Sequence, residues 1–257
     1  SLDNQFPKEA GVRSEKPLLE VKNIHRKGVL HNVSFKAYGG EVLGFSGLVG
    51  AGRTETMRAI FGADPIDGGE IYIRGEKVDI KNPKDAIRAK VAFLTEDRKG
   101  QGLILNESIQ NNLILANLKG YQKGLFLSQK DMDSMGEGRI QELSIKCPSQ
   151  EERVGQLSGG NQQKVVIGKW LNTNADIYIL DEPTRGIDVG AKVEVYQVIN
   201  RLVKEGKCVI MVSSEMPEIL GMSDRVLVMR EGRITGEMSR STDAFNQESV
   251  MKAAWEV

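Results

Sequence analysis

The chain alternates between short apolar runs and longer segments whose apolar positions recur at helical spacing. Short β-like runs occupy residues 18–24, 29–37 and 41–47, and the last of these ends in a glycine-rich loop. The segments DIYILDEP at 176–183 and CVIMVSS at 208–214 contain continuous apolar runs, which are typical of inner strands that are covered on both faces. Because helix-like segments separate these runs, the pattern predicts a mostly parallel sheet covered by helices.

Several flanking elements complete this prediction. The segment 54–63 is helix-like, with Gly62 as its expected end. Residues 67–80 alternate as in a β-hairpin, and residues 225–237 predict a second, closing hairpin. Between them, residues 90–97 predict a strand that runs into a charged loop.

The stretch from about 100 to 160 has a different pattern. The runs 107–118 and 131–145 are helix-like, and Ser108 and Ser128 stand where N-caps are expected. We therefore expect a separate helical lobe inserted into the α/β domain.

The two ends of the chain differ from the domain predicted over 18–240. Residues 1–17 carry prolines, a glycine and scattered charges without periodicity, which is typical of a linker. Residues 241–257 predict a helical tail with Ser239 or Thr242 near its start. Since the sequence begins with Ser rather than Met, we expect it to be part of a longer polypeptide.

Composition disfavours several classes of protein. The 35 basic residues balance the 35 acidic residues and aromatic residues make up 5%, which disfavours nucleic acid as a partner. Two cysteines and two histidines are too few for a convincing zinc site, and reduced thiols are expected. No apolar run approaches the roughly 20 residues of a membrane span, and the N-terminus does not resemble a secretory signal. We therefore expect a soluble, cytoplasmic protein.

The sequence GLVGAGRT at 47–54 fits a phosphate-binding loop at every fixed position except that Arg53 replaces lysine. Backbone N–H groups of such a loop converge on phosphate oxygens, and the helix that follows adds a favourable dipole. The residues expected to bind nucleotide here are Gly47, Gly50, Ala51, Gly52, Arg53 and Thr54. The Thr54 hydroxyl is also a candidate Mg²⁺ ligand. The alternative is an ordinary glycine-rich turn.

An acidic pair ends the apolar run at 176–180. Asp181 and Glu182 would lie at the carboxyl end of a strand, where ligands bind in open α/β sheets. Asp181 would hold Mg²⁺, directly or through water, and Glu182 would act as general base on the attacking water. A solvated acidic pair after a core strand is the alternative, which the upstream glycine loop disfavours.

The sequence LSGGNQQK at 157–164 resembles the signature motif of ATP-binding cassette (ABC) ATPases. RGID at 185–188 resembles the D-loop of that family, and residues 212–234 resemble its switch region and final hairpin. The resemblance extends from Leu18 to Met238. It implies an α/β P-loop NTPase with a mostly parallel core sheet, a small antiparallel β subdomain and an inserted helical subdomain, with ATP and Mg²⁺ as cofactors.

The signature segment is expected to act on a second cassette. A hydroxyl, backbone N–H groups and a helix N-terminus together suit an anion. In the family this surface binds the γ-phosphate of ATP held by the opposite cassette, and the matching residues are Ser158, Gly159, Gly160 and Gln162. An N-capped helix after a glycine turn explains Ser158 alone.

Three positions depart from the family pattern. Arg53 keeps the positive charge of the lysine it replaces but is larger and forked. Ser214 stands where the family usually has the switch histidine, in reach of the γ-phosphate. Glu96 stands near the place of a glutamine that senses Mg²⁺ and the transport partner, which makes it a candidate cofactor and metal contact. Near the expected adenine site, His25 or Arg26 could stack weakly, although a plain loop is favoured.

One subfamily accounts for these departures. The second half of the tandem-cassette ATPases of bacterial monosaccharide importers closely resembles this chain at GLVGAGRTE (47–55), LTEDRK (94–99), LSGGNQQK (157–164), LDEPTRGIDVGAK (180–192) and VSSEMPEILGMSDR (212–225). The resemblance implies that this cassette couples ATP hydrolysis to sugar uptake at the cytoplasmic face of the inner membrane. The implied partners are an N-terminal cassette of the same polypeptide, membrane permease subunits and, indirectly, a sugar-binding protein. Arg53 and Ser214 would make the site of this half slow, and the segment from Glu96 to Gly102 is a candidate coupling loop.

Two other functions stay open at the level of sequence. One is a nucleotide-binding regulatory cassette that does not hydrolyse ATP, which Arg53 and Ser214 favour and Asp181 and Glu182 oppose. The other is a soluble ABC ATPase that acts on nucleic acid or the ribosome, which the zero net charge opposes.

Overall fold

The computed structural model describes residues 5–255. The chain divides into two compact units. Among the described residues, the first comprises 5–93, 176–182 and 196–255, and the second comprises Leu94–Ala175 and Pro183–Val195. The segment 100–160, predicted as a helical lobe, lies within the second unit.

The strands and helices follow in this order along the chain. The strands are β1 Pro17–Arg26, β2 Leu30–Tyr38, β3 Val42–Gly47, β4 Gly68–Ile73, β5 Glu76–Val78, β6 Val91–Leu94, β7 Gln122–Lys123, β8 Phe126–Leu127, β9 Ile177–Asp181, β10 Cys208–Val212, β11 Arg225–Arg230 and β12 Arg233–Ser239. The helices are α1 Arg53–Ile60, α2 Pro83–Arg88, α3 Ile109–Ile114, α4 Gln129–Glu142, α5 Gly159–Leu171, α6 Val189–Lys204, α7 Met216–Met222 and α8 Gln247–Trp255.

The first unit is built on a six-stranded sheet with the order β12-β11-β3-β10-β9-β6. Strand β3 pairs in parallel with β11 and β10, and β10 pairs in parallel with β9. Only β12 is antiparallel to its neighbour β11 among the pairs whose direction is described. Every residue of β9 and β10 is buried, as expected for apolar strands covered on both faces. The predicted mostly parallel α/β sheet is therefore confirmed.

A second, four-stranded sheet in the first unit is antiparallel, with the order β2-β1-β4-β5. Strands β4 and β5 form the hairpin predicted over 67–80. Helix α1 ends at Ile60, and Gly62 follows with a φ of 72°, which places the glycine at the predicted stop.

The second unit is mainly helical. Ser108 caps α3 by accepting a hydrogen bond from the Asn111 N–H at 3.1 Å, and Ser128 caps α4 by accepting from the Asp131 N–H at 3.4 Å. Both predicted caps are confirmed. Within the unit, the buried Asn172 side chain donates to the Leu113 carbonyl at 2.9 Å. This bond ties the end of α5 to α3, because a buried amide must find a partner.

The start of the C-terminal helix was predicted wrongly. Helix α8 begins at Gln247, and Asn246 caps it by accepting from the Ser249 N–H at 2.9 Å. Ser239 instead ends strand β12, and the Thr242 hydroxyl donates to the Ser239 carbonyl at 2.8 Å within a turn. The Thr242 hydroxyl therefore bonds locally within a turn instead of capping a helix, and Ser239 supplies only its carbonyl.

The predicted linker over 1–17 extends beyond the described part of the chain, since residues 1–4 lie outside it. From residue 7 to residue 16 the chain forms no regular element. Across residues 5–255, no helix is both long enough and apolar enough to cross a bilayer.

A buried lysine in the second unit makes stability depend on pH. The Lys169 ammonium is 7% exposed and donates to the Gly102 carbonyl at 2.6 Å. Burial lowers the pKa of Lys169 to about 8. Below that pH the cost of burying the charge is fully present. Between pH 8 and roughly 10.4, the unfolded chain keeps a proton that the native state has released, so stability rises with pH.

We therefore predict a pH-dependent difference between the wild type and Lys169→Met, which keeps the apolar stem and removes the charge. From pH 8 to about 10.4, the free energy of unfolding of the wild type should rise relative to the variant by about 3 kcal/mol. Urea unfolding followed by circular dichroism across this range measures the difference. A constant difference would contradict the assignment.

Candidate functional site

The phosphate loop joins β3 to α1 in the first unit and depends on two glycine conformations. Gly47 and Gly52 have φ values of 149° and 101°, which side chains rarely tolerate. A Cβ at Gly47 would also lie 2.4 Å from the Met229 carbonyl oxygen. The loop can therefore take this path only with glycine at both positions.

A turn of the closing hairpin supports the loop from the opposite side. The Gly232 N–H donates to the Ala51 carbonyl at 2.9 Å, and the His31 N–H donates to the Gly232 carbonyl at 2.9 Å. Sequence reasoning missed this support. The Glu231-Gly232 pair, which has positive φ at both residues, was its local signal.

The loop has the properties expected of a phosphate cradle. No side chain caps α1 at Gly52, so the first N–H groups of the helix are left without a side-chain acceptor. A Cβ placed on Gly50 would meet nothing within 4 Å. Open space beside an uncapped helix N-terminus suits an anion, and the residues present therefore fit a nucleotide phosphate.

Thr54 and Asp181 come together although 127 positions separate them in the sequence. The Thr54 hydroxyl donates to Asp181 Oδ2 at 2.8 Å, and Asp181 is fully buried at the carboxyl end of β9. No cluster of three or more histidine, cysteine or acidic residues suited to a metal occurs within residues 5–255. A hydroxyl and one carboxylate fit Mg²⁺, which takes few protein ligands and completes its shell with water and phosphate oxygens.

Glu182 follows directly in a left-handed conformation, with a φ of 51°. Its N–H donates to the Val212 carbonyl at 2.8 Å, and the Ser214 hydroxyl donates to its Oε2 at 3.3 Å. Burial raises the pKa of Glu182, while the Ser214 hydrogen bond and the charge of Arg53 oppose that rise. A carboxylate of raised basicity, held at one oxygen, is suited to accept a proton from water.

Arg53 is fixed to the backbone beside this carboxylate. Its Nη1 donates to the Ser213 carbonyl at 2.9 Å, one residue before Ser214. The guanidinium is therefore bonded to the first of residues 213–215, called the switch segment. A lysine, with one compact ammonium on a flexible stem, would be freer to follow phosphate oxygens.

The signature residues lie in the second unit, at the start of α5. Ser158 is exposed and caps the helix, accepting from the Asn161 N–H at 3.4 Å and from the Asn161 side chain at 2.9 Å. A Cβ on Gly159 would lie 3.0 Å from the Gly186 carbonyl oxygen, and one on Gly160 would lie 2.7 Å from the Ala191 Cβ. Gly160 therefore allows the close approach of α5 to α6, and Gly159 leaves only tight space beside the segment that leads into α6.

Gln162 is placed differently from the residues before it. It is 4% exposed, and its amide donates to the Val154 carbonyl at 3.3 Å. Burial and this contact favour a supporting role in the signature helix over direct contact with nucleotide.

Glu96 also lies in the second unit. Its Oε2 is 3.3 Å from Arg185 Nη1, and both side chains are exposed. Arg98 Nη1 donates to the Arg185 carbonyl at 3.3 Å. The structure therefore links the segment after β6 to the D-loop-like sequence through Arg185, a contact that sequence reasoning did not anticipate.

Near the expected adenine position, Arg26 and His25 already have partners. Arg26 Nη1 lies 3.0 Å from Asp64 Oδ2, and the His25 ring centroid lies 5.8 Å from that of His31. These contacts disfavour either side chain as a stacking surface for adenine.

The first unit thus brings together Arg53, Thr54, Asp181, Glu182 and Ser214. The remaining predicted contacts, Glu96, Ser158, Gly159, Gly160 and Gln162, belong to the second unit.

A family model described as ABC transporter matches residues 30–185. The chain belongs to this family. Membership implies nucleotide binding, and the match includes the phosphate loop, the signature segment and the acidic pair. The resemblance to ABC ATPases is therefore confirmed.

Relatives in bacteria extend the comparison over nearly the whole chain. The chain is 52% identical over 254 residues to the "Ribose import ATP-binding protein RbsA" of Bacillus cereus, covering 99% of this chain and 51% of that protein. It is 50% identical over 238 residues to a "Putative ribose/galactose/methyl galactoside import ATP-binding protein" of Albidiferax ferrireducens, covering 92% of this chain and 47% of that protein. The chain therefore spans about half the length of these relatives.

Solved structures support the fold. The ATP-binding cassette MJ1267 of an ABC transporter aligns with a TM-score of 0.79 at 20% identity, covering 93% of this chain and 98% of that chain. The cassette MJ0796, in a dimeric post-hydrolysis state bound to ADP and Pi, aligns with a TM-score of 0.74 at 22% identity, covering 87% and 99%. The predicted α/β P-loop fold is confirmed.

The close approach at the signature helix gives a stability prediction. Gly160→Ala would force a methyl group against Ala191, and we expect a loss of about 1–3 kcal/mol through overpacking. Gly138→Ala, in α4 with nothing within 4 Å of the new Cβ, is the matched control and should be stabilising by about 0.5–1 kcal/mol. Urea unfolding measures both. Equal effects at the two positions would contradict the packing seen at Gly160.

Proposed function

We propose that the chain is the nucleotide-binding domain of a sugar ABC importer. It would bind ATP with Mg²⁺ and couple ATP hydrolysis to monosaccharide uptake. The relatives named as ribose and ribose/galactose import ATP-binding proteins support this substrate class.

The observation that carries the proposal is the 2.8 Å contact between Thr54 and Asp181 beside the uncapped start of α1. The Thr54 hydroxyl oxygen follows β3 and the Asp181 carboxylate oxygen ends β9. The parallel sheet brings these two distant segments together. ATP phosphates would lie on the loop N–H groups, and Thr54 and Asp181 would hold Mg²⁺. Bound there, the cation would neutralise charge that develops on the phosphate oxygens.

Glu182 would orient the attacking water and take its proton. Its pKa is raised by burial, which improves the carboxylate as a base. Ser214, 3.3 Å away, would hold the carboxylate in place but cannot supply the positive charge of a histidine.

This site is expected to be slow. The Arg53 guanidinium is fixed by its bond to the Ser213 carbonyl, so it would offer the phosphates its remaining N–H groups in one orientation and would not follow the γ-phosphate through the reaction. Slow chemistry in one half is compatible with transport if a second cassette supplies the faster site.

In the proposed assembly, Ser158, Gly159 and Gly160 serve ATP bound to an N-terminal cassette of the same polypeptide. The chain spans about half of the matched import proteins, which leaves room for such a cassette. The exposed Ser158 at the start of α5 suits an anion presented from outside. Gln162 would steady the helix from its buried position.

The remaining partners would be membrane permease subunits and, indirectly, a sugar-binding protein. The segment from Glu96 to Gly102 is the proposed contact to the permease, and Glu96 is also proposed as a contact to Mg²⁺. The protein would act at the cytoplasmic face of the inner membrane as a peripheral subunit.

A second candidate function is a regulatory cassette that binds ATP without turnover. The hydrogen bond from Arg53 to the Ser213 carbonyl favours it, because that bond restrains the loop cation from following the γ-phosphate through hydrolysis while leaving other N–H groups to bind phosphate. Retention of Asp181 and Glu182 favours hydrolysis instead.

Calorimetry with Mg²⁺-ATP and phosphate release on the same sample test the proposal. We expect clear binding with very low turnover by the wild type, and Asp181→Asn should remove the Mg²⁺ dependence of binding. Arg53→Lys should raise the rate of phosphate release by about tenfold, because the shorter ammonium is freed from Ser213. Fast wild-type turnover would contradict the slow-site proposal, and absence of binding would contradict the function itself.

The division of labour between cassettes is tested in a full-length two-cassette polypeptide. Arg53→Ala should leave more than about half of the ATPase rate, because the faster site uses the other phosphate loop. Ser158→Arg should abolish most of the rate, since a bulky cation would occupy the γ-phosphate position. The opposite pattern would contradict the proposed asymmetry.

A further inference from the structure

Residues 6–9 form a segment without regular secondary structure that packs against helices α6 and α7 of the first unit. We call this segment the strap. Phe6 is 8% exposed, and its ring centroid lies 5.7 Å from that of Tyr196. A Cβ on Gly221 of α7 would lie 2.4 Å from the Phe6 ring. The phenyl ring can therefore pack on α7 only because this position has no side chain.

Polar contacts made by the three residues that follow Phe6 anchor the strap to α6 and to Asp224. Asn200 of α6 accepts from the Glu9 N–H at 3.1 Å and donates to the Pro7 carbonyl. Lys8 Nζ lies 3.0 Å from Asp224 Oδ2, and the Lys8 side chain is only 11% exposed. Asp224 lies just after the end of α7. The strap thus has anchors on α6 and at the carboxyl end of α7.

The other end of α7 leads directly to the nucleotide site. The Tyr196 hydroxyl donates to Oε1 of the fully buried Glu218, in the first turn of α7. The Glu215 N–H donates to Ser213 Oγ at 3.0 Å, and the Ser213 carbonyl is the acceptor that holds Arg53. An unbroken series of contacts therefore joins Phe6 to Arg53 within the first unit.

Helix α7 is too short to hold its position alone. It has seven residues, and isolated helices of this length are marginal, so packing must determine where it lies. Phe6 packs against Gly221, and Tyr196 bonds to Glu218. We infer that the strap positions α7 and, through it, the switch segment 213–215, which makes Phe6 and Tyr196 positioning residues for the nucleotide site. This inference deepens the proposed function and rests on it.

Loss of the strap contact should act on nucleotide affinity. With α7 displaced, the Ser213 carbonyl moves and Arg53 loses the acceptor that fixes its guanidinium. The phosphate loop then presents its cation in many orientations, and binding of Mg²⁺-ATP weakens although no residue that contacts nucleotide has changed.

The experiment compares the Mg²⁺-ATP dissociation constant of four variants by calorimetry, under conditions in which urea titrations show each to be folded. Phe6→Ala and Tyr196→Phe should raise the dissociation constant by about fivefold or more. Tyr196→Phe keeps the ring that faces Phe6 and removes only the hydroxyl. Phe6→Leu places an apolar side chain against Gly221 again, so its dissociation constant should lie within about twofold of the wild-type value. Val12→Ala, in the same stretch with a side chain 91% exposed, is the control and should change nothing.

Hydrogen exchange on the same variants reads the position of α7 without nucleotide. Phe6→Ala should speed exchange at amides of 213–222 and leave α1 unchanged, whereas Val12→Ala should alter neither. Unchanged exchange at 213–222 overturns the inference. So does unchanged affinity in Phe6→Ala, or an equal loss in Val12→Ala, when the wild type binds Mg²⁺-ATP. If the wild type binds no Mg²⁺-ATP, the proposed function fails, and exchange at 213–222 alone decides whether the strap positions α7.

Discussion

Parallel pairing of β10 with β3 on one side and β9 on the other is the constraint on which the site depends. Val212 is in register with Phe45 of β3 and with Asp181 of β9. Because all three strands run in the same direction, the phosphate loop, the acidic pair and the switch segment leave the sheet at one edge. The 2.8 Å contact between Thr54 and Asp181 is a direct result. Every residue of β9 and β10 is buried, so the site rests on strands that are covered on both faces.

The switch segment is where the departures from the family pattern meet. Ser213 binds Arg53 through its carbonyl, and Ser214 binds Glu182 through its hydroxyl. An arginine in the phosphate loop and a serine at the switch are therefore parts of one arrangement. The guanidinium has a backbone acceptor one residue before the serine whose hydroxyl bonds to Glu182. In the proposed function, such a site would retain the groups that bind nucleotide while restraining the cation that would assist its chemistry.

Most of the fold could be predicted because its signals are local. Apolar runs gave the inner strands, and Ser108 and Ser128 gave two helix caps that the structure confirms. The predicted cap at Thr242 was wrong because a hydroxyl can close a turn as readily as it caps a helix, and Ser239 ends strand β12. The Gly232 support of the phosphate loop and the Glu96–Arg185 pair were not predictable, since they join segments far apart in sequence.

The sequence by itself determined the chemistry available: a glycine loop, an acidic pair after a buried strand and a Ser-Gly-Gly helix start. Residue type and short-range spacing suffice for these, because each is used by its own segment. Tertiary structure alone decided which groups meet. In the tertiary structure, Arg53 donates to the Ser213 carbonyl, the Gln162 side chain is buried, and the Phe6 ring packs against Gly221. These contacts join residues that are far apart in the sequence and that the sheet brings together. Because the hydrophobic periodicity of the chain reflects only local structure, it does not predict them.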